Sequence, residues 1–265
     1  MILQKATDLP HPPKRIISLV PSQTELLYDL GLEAETIGIT KFCVHPSSWF
    51  KTKERVGGTK TINIDKIDQL QPDLIIANKE ENVKEQIEQL ALNYPVWVTD
   101  VNDLEDALEM IKDIGELTGK QTGAKTLTFS ISKSFAGLEK LKTKNSKPKT
   151  AYLIWRKPYM TIGGDTFIND MLLQCGFENI FADKTRYPEV SIPQMQTVNC
   201  QSTGGCDLLL LSSEPYPFKQ KHIDELRSSL PGTKIILVDG EFFSWYGSRL
   251  LQAPEYFNEL INSIR

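Results

Sequence analysis

Short apolar runs alternate along this chain with stretches whose apolar residues recur every three or four positions, and the alternation is made twice. The first round holds RIISLV, PSQ and TELLYDLGL (15 to 32), then LQPDLIIAN (70 to 78) and YPVWVTD (94 to 100). The second holds AYLIW (151 to 155), GGDTFINDMLLQCGFENIF (163 to 181), GGCDLLLLSSE (204 to 214) and KIILVDGE (234 to 241). Apolar runs this short and this uninterrupted need cover on both faces, as strands of parallel sheets in layered α/β folds have. The pattern predicts two α/β lobes, with a cleft between them as the natural place for a small ligand.

Local signals sharpen this reading. Ser22 with Glu25 three residues on fits a capping box, and Gly31 fits a helix stop. IGIT (37 to 40) and LIIA (74 to 77) read as strands, and NIDKIDQLQPD (63 to 73) as a short amphipathic helix closed by Pro72. Val83, Ile87 and Leu90 have helical spacing, and from Leu104 the helical pattern runs for roughly forty residues. Its interruption at Gly119 to Gly123 is either a turn between two helices or a weak break, after which a long helix is expected to cross from one lobe to the other. In the second half PYMTI (158 to 162) is expected as a strand, Asp165 or Thr166 as a helix N-cap and Gly176 as its stop, with PEYFNELINSIR as a closing helix. The expected divisions are an N-terminal α/β lobe at 1–100, a helical segment including the linker helix at 101–148, and a C-terminal α/β lobe at 149–265.

Composition narrows the function. A net charge of −4 gives no reason to expect a nucleic-acid or anionic-membrane surface. The basic run KLKTKNSKPK (140 to 149) reads as a solvated connection between the lobes. No apolar run approaches a membrane span. The opening MILQKATDLPHPPKR lacks the apolar centre of a secretory signal, so the expectation is either a cytoplasmic chain or one written without its leader. The four cysteines, Cys43, Cys175, Cys200 and Cys206, are too scattered for a disulfide scaffold. Cys200 and Cys206 flank QSTGG, which is not a zinc-knuckle spacing, and free thiols are expected.

Candidate chemistry lies where parallel strands end, because ligands of open α/β sheets sit beyond the carboxyl edge. Those ends carry Ser22 and Gln23, Lys41 to Cys43, Asn78 to Glu80, Trp155 and Arg156, Ser212 to Glu214, and the run EFFSWY from Glu241 to Tyr246. The aromatics Phe242, Phe243, Trp245 and Tyr246 in that run, read as a loop, suggest a ligand-facing wall. Trp155, Arg156 and Tyr159 form a second aromatic and cationic group suited to a flat ligand bearing amides or carboxylates. Tyr187 lines the cleft or pins its polar loop. Nucleotide-loop, hydrolase and zinc-protease motifs are missing, and GGTKT (57 to 61) is too short for a phosphate loop. Cys43 and His45 stand two apart, as metal ligands on one strand face would, although a turn before Pro46 explains them equally well, and His45 alone is a candidate axial ligand to a chelated metal.

These residues bring a resemblance into view. RIISLVPSQTELLYDLGL, INIDKIDQLQPDLIIA, GGDTFINDMLLQCGFENIF followed by YPEVS, and DGEFFSWYGSRL are similar, in order and spacing, to the helical-backbone (class III) substrate-binding proteins of ABC importers for vitamin B12, siderophore iron and haem. The pattern is most similar to the B12-binding branch. The resemblance implies two Rossmann-like lobes joined by a single long α-helix, little hinge motion, no catalysis, a likeness to monomeric binders, and a cobalamin-like or other metal chelate held without a covalent bond. It places Ser22, Gln23, Phe42, Thr59, Tyr187, Glu241 and Trp245 at contact positions, with Lys60 beside Thr59. Phe42 stands where that branch has a tyrosine, Thr59 and Tyr187 where it has tryptophans, and Trp245 where it has an arginine. It also implies docking on an ABC permease and ATPase complex through one acidic residue per lobe, Asp65 in the first and, since Pro193 occupies the matching place in the second, nearby Glu189. A cell-envelope location would follow.

Three functions compete at this point. The first is the binder of a corrinoid, with a haem or ferric-siderophore binder as its variant. The second is a cytoplasmic tetrapyrrole- or metal-handling enzyme, motivated by Cys43, His45 and Glu241. The third is a scaffold that keeps the fold and binds a partner. The absence of any nucleophile or acid–base constellation favours the first.

Overall fold

The computed structural model describes residues 1–139, 147–196 and 205–264. In the first half strand β1 (Ile16–Ser18) leads into helix α1 (Pro21–Asp29), followed by β2 (Thr36–Ile39), α2 (Ser47–Thr52), β3 (Glu54–Arg55), α3 (Ile64–Leu70), β4 (Leu74–Asn78), α4 (Lys84–Ala91) and β5 (Val96–Thr99). The strands form one sheet in the order β3-β2-β1-β4-β5, every pair parallel. All five residues of β4 are buried, which is why LIIAN reads as a continuous apolar run rather than an alternating one. Ile17, Ile75 and Val96 share one packed cluster with Val56, Ile67, Ile87 and Leu90. Gly31 closes α1 in the left-handed region at φ 72°, and Asn63 starts α3 by accepting from the Lys66 amide at 3.0 Å.

Two helices follow, α5 (Leu104–Leu117) and α6 (Gln121–Glu139), so the interruption at residues 119 to 123 is a turn. The second half contains β6 (Lys149–Leu153), β7 (Tyr159–Met160), α7 (Phe167–Gln174), β8 (Glu178–Asn179), β9 (Glu189–Val190), α8 (Ile192–Gln196), β10 (Leu208–Ser212), α9 (Gln220–Arg227), β11 (Lys234–Val238), α10 (Glu241–Ser244) and α11 (Ala253–Ile264). Its main sheet is β11-β10-β6-β8, again entirely parallel. One sheet face packs Ala151, Leu153, Leu209 and Leu211 against Met195, Ile223 and Leu226. On the other, Tyr152 meets Phe243 at 5.2 Å and Phe243 meets Phe257 at 4.8 Å.

Two expectations change and two take definite form. PYMTI does not join the main sheet: only Tyr159–Met160 is strand, and it pairs antiparallel with β9 in a separate ribbon. The capping box at Ser22 and Glu25 does not form, because Pro21 takes the first helical position and Val20 becomes the N-cap. Of the two N-cap candidates at 165 and 166, Thr166 serves, its Oγ1 accepting from the Asn169 amide at 3.3 Å. The helices after residue 101 do not stand apart from both lobes. Residues Met1–Val101, Glu105–Ser132 and Trp245–Leu251 pack as one compact unit, and Asn102–Leu104, Lys133–Ser244 and Gln252–Arg265 as another. Helix α6 therefore runs from the first unit into the second, and seven late residues return to the first. Most of KLKTKNSKPK, and Cys200 with residues 201–204 after it, lie outside the described residues; Cys43, Cys175 and Cys206 are buried thiols.

Candidate ligand-binding site

Parallel pairing puts every strand's carboxyl end on one edge of its sheet, so each unit carries its own edge of candidate residues. In the first unit that edge is stitched by neutral polar groups. Gln23 Nε2 donates to Thr99 Oγ1 at 2.6 Å, and Asn78 Nδ2 donates to the same hydroxyl at 3.1 Å. Asn82 Oδ1 accepts from the Asn78 amide at 2.8 Å, while its Nδ2 donates to the Thr59 carbonyl at 3.0 Å. These side chains are all buried, so they tie the loops after β1, β3, β4 and β5 together without placing a charge in the core.

This network changes the role of several expected contacts. Gln23 is fully buried and Ser22 nearly so, inside the first turn of α1. Thr59 is buried as well, its carbonyl held by Asn82. Phe42 stays outside at 50% exposure, with Lys41 Nζ 5.2 Å from its ring centre. The ring lies close to the backbone of Gly58, where a Cβ would come within 3.1 Å of it. Lys60 is exposed and its ammonium donates to the Glu80 carbonyl.

Trp245 and Tyr246 also belong to the first unit, and both are buried. The His45 ring meets Trp245 edge-on at 5.3 Å, and the Arg249 guanidinium lies 4.7 Å from the Trp245 ring centre. Arg249 grips Glu25 with two bonds, Nη2 to Oε1 at 2.7 Å and Nε to Oε2 at 3.0 Å. Burial outweighs the guanidinium and raises the Glu25 carboxyl above its usual value. Gly247 lets this segment press against α1: a Cβ there would lie 2.4 Å from the Ser22 carbonyl oxygen. The loop expected to present EFFSWY is thus a turn of helix, α10, followed by core residues. Phe243 is fully buried, and half-buried Phe242 stacks on Tyr256 at 4.5 Å. Glu241 is half-buried at the start of α10, its amide donating to Asp239 Oδ1 at 3.1 Å.

In the second unit Trp155 is 40% exposed just beyond β6, its ring edge-on to Tyr216 at 5.7 Å. Arg156 pairs with Glu225 at 2.5 Å, and the neighbouring Tyr216 and Tyr159 hydroxyls raise the pKa of its guanidinium. Trp155, Arg156 and Tyr159 are therefore brought together as expected from their spacing. Tyr187 is half-buried on a loop zipped to residues 161–164 by Thr161 N to Pro188 O at 3.0 Å and Gly163 N to Arg186 O at 2.7 Å.

Cys43 does not pair with His45 as a metal-ligand couple. Its thiol is fully buried against Thr24 Oγ1 at 3.1 Å and Thr40 Oγ1 at 3.2 Å, and burial pushes its pKa up, away from the thiolate a metal requires. No cluster of three or more metal-ligating side chains occurs among the described residues. The two docking candidates are exposed, Asp65 in the first turn of α3 and Glu189 in β9. Asn78 was named from its place at a strand end, and the residues missed from sequence are Asn82, Thr99, Tyr216 and His222. Position at a strand end could have pointed to Thr99 in the same way.

A family profile described as periplasmic binding protein matches residues 16–202. The vitamin B12-binding protein of Vibrio campbellii is 32% identical over 203 residues, which cover 74% of this chain and 72% of that relative. The solved periplasmic vitamin B12-binding protein of Vibrio cholerae superposes with a TM-score of 0.82 at 23% identity, over 96% of this chain and 99% of its own. The periplasmic heme-binding protein of the same organism gives a TM-score of 0.77 at 20% identity, over 93% and 98% of the respective chains. Those structural likenesses are to two α/β lobes joined by a long helix, the architecture expected here. Profile and curated relative together make this chain a member of the periplasmic binding protein family, and so a non-catalytic substrate-binding protein of the ABC-importer kind.

Proposed function

We propose that this protein captures a corrinoid of the vitamin B12 kind and hands it to an ABC permease and ATPase complex in the cell envelope. The observation that supports the reading is the 32% identity to a vitamin B12-binding protein, extending over 74% of the chain. The exposed aromatics agree with it. Phe42 and Trp155 each stand beyond the carboxyl end of a parallel strand, where a flat macrocycle could cover them. Several hundred Å² of apolar ligand surface, at roughly 25 cal/mol per Å², leaves submicromolar affinity after the cost of association. Arg156, Tyr159, Tyr187, Lys60 and Glu241 would supply the polar contacts, and Asp65 and Glu189 the docking contacts. Ser22, Gln23, Thr59, Trp245 and Tyr246 act from beneath the surface as its support.

A second ligand class, haem or a ferric siderophore, is favoured by one local feature. Lys41 lies over Phe42, and Lys60 stands in the following loop, so cations border the exposed ring. That arrangement suits carboxylates better than the carboxamides of a corrin. Calorimetric titration with cyanocobalamin, haemin and a ferric hydroxamate separates the readings. Cyanocobalamin binding tightest supports the corrinoid, haemin or the hydroxamate binding tightest supports the alternative, and no binding tighter than about a millimolar dissociation constant rejects both.

A further inference from the structure

The support beneath Trp155 has a feature that ligand binding alone does not require. Trp155 rests edge-on against Tyr216, and Tyr216 in turn meets Phe218 at 4.8 Å and the His222 ring at 5.5 Å. His222 is 2% exposed, so an imidazole sits at the bottom of an aromatic stack whose top is open to solvent. Its two nitrogens have different tasks. Nδ1 accepts from the Lys219 amide at 2.8 Å, the reciprocal bond that starts α9, and Nε2 lies 3.3 Å from the Tyr216 hydroxyl. Because Nδ1 accepts, the neutral ring carries its proton on Nε2 and donates it to Tyr216 Oη. The same phenol neighbours Arg156, which pairs with Glu225 of α9 at 2.5 Å. The Tyr216 amide donates to the Ile154 carbonyl at 3.2 Å, so the loop after β10 is fastened to the strand end that bears Trp155.

We infer that His222 is the positioning residue of this unit's ligand platform, holding Tyr216 and through it Trp155 and Arg156 in the geometry that meets the ligand. The inference rests on the reading that Trp155 and Arg156 meet the chelate. Protonating His222 would set an N–H on Nδ1 against the Lys219 N–H, two donors face to face, and free the start of α9. The charged groups around the ring are Lys219, Lys221 and Glu225 on α9 and its cap, and Arg156 from the loop after β6; Tyr216 and Tyr159 are the neighbouring phenols. Burial first, then Arg156 and Lys221, hold the imidazole below its usual pKa. The platform is thus held while His222 is neutral and loosens when acid charges it.

Two variants separate positioning from folding. His222→Gln can keep the reciprocal cap of α9, since glutamine at the third helical position accepts from the cap amide as histidine does here, but it cannot titrate or reach Tyr216 with a ring. Tyr216→Phe keeps the rings and removes the hydroxyl that meets His222 Nε2. The full chain labelled with 5-fluorotryptophan has four indole resonances, and Trp155→Phe identifies the one of interest. In the ligand-free protein the Trp155 resonance is expected to shift with pH, with a midpoint below the ordinary imidazole range, and to stay constant in His222→Gln. With cyanocobalamin and haemin as probes, both variants are expected to bind about fivefold more weakly at neutral pH, the size of one lost hydrogen bond, and the acid weakening of the wild type should vanish in His222→Gln. A Trp155 resonance that titrates identically in wild type and His222→Gln, or one that does not titrate in the wild type, overturns the inference. So does a probe affinity of His222→Gln equal to wild type at every pH. If neither probe binds the wild type, the ligand reading fails, and the resonance decides the device itself.

Discussion

The two units build their candidate edges from the same topology and secure them by different chemistry. In the first, the loops beyond the strands are joined by Gln23, Asn78, Asn82 and Thr99, side chains without a charge to gain or lose, with the Glu25–Arg249 pair set behind Trp245. In the second, the exposed indole is backed by phenol and imidazole, and its guanidinium is paired with a carboxylate of α9. A parallel sheet supplies the edge; whether that edge responds to pH depends on what fills the layer beneath it. The amide network of the first edge should be indifferent to mild acid and sensitive to loss of its amides. The second should respond to pH.

The largest effect that would break this contrast is at Glu25. Its carboxylate and Arg249 are 18% and 12% exposed, so Glu25→Gln leaves a nearly buried guanidinium without its counter-charge. A loss of about 3 kcal/mol is expected in urea unfolding. Next is Asn82→Ala, which strips the Thr59 carbonyl and the Asn78 amide of their partner and should cost about 2 kcal/mol, with no pH dependence of the cost between pH 5 and 8. A cost that varied with pH across that range would erase the distinction drawn here.

Trp155→Ala works the other way round. The ring is 40% exposed, so the folded state should lose less than about 1 kcal/mol, while chelate affinity falls tenfold or more if the indole is an anchor. The smallest expected effect is the contribution of His222 to stability. Its folded pKa is depressed, so the folded protein holds fewer protons than the unfolded chain in the window between the two values. That contribution is complete above the unfolded imidazole pKa of about 6.5 and is lost as pH falls through the lower folded value. A comparison of unfolding free energies at pH 5 and pH 7.5 should find a smaller difference in His222→Gln than in wild type.

Much of the scaffold was legible in the sequence because burial on both faces writes itself as uninterrupted apolar runs. LIIAN and LLLLS could hardly be anything but inner parallel strands, and Gly31 and Gly176 ended their helices in the left-handed backbone that favours glycine. The site was less legible, for reasons that particular residues make plain. Ser22 and Glu25 have the spacing of a capping box, but Pro21 starts the helix two positions earlier than that motif needs. Glu25 is claimed by Arg249, 224 residues away, and sequence spacing carries no trace of such a partner. The aromatics from Phe242 to Tyr246 were expected to face a ligand, yet three of the four fill core positions, because a helical turn directs Phe243 inward and the following residues pack in the other unit. Asn78 and Asn82 were invisible as a network, since amide contacts have no periodicity. Exposed Phe42 and clustered Trp155, Arg156 and Tyr159 were found because strand ends are where the topology leaves side chains uncommitted.

The claim on which all of this depends is that an exposed aromatic at a strand edge, Phe42 or Trp155, takes a flat metal chelate. The most direct measurement is calorimetric titration of the wild type, Phe42→Ala and Trp155→Ala with cyanocobalamin, haemin and a ferric hydroxamate at pH 7.5. The expected result is a chelate binding with submicromolar affinity in the wild type, weakened tenfold or more by at least one of the substitutions while both variants still unfold cooperatively. A chelate that binds the two variants as tightly as the wild type, or no binding at all, would contradict it.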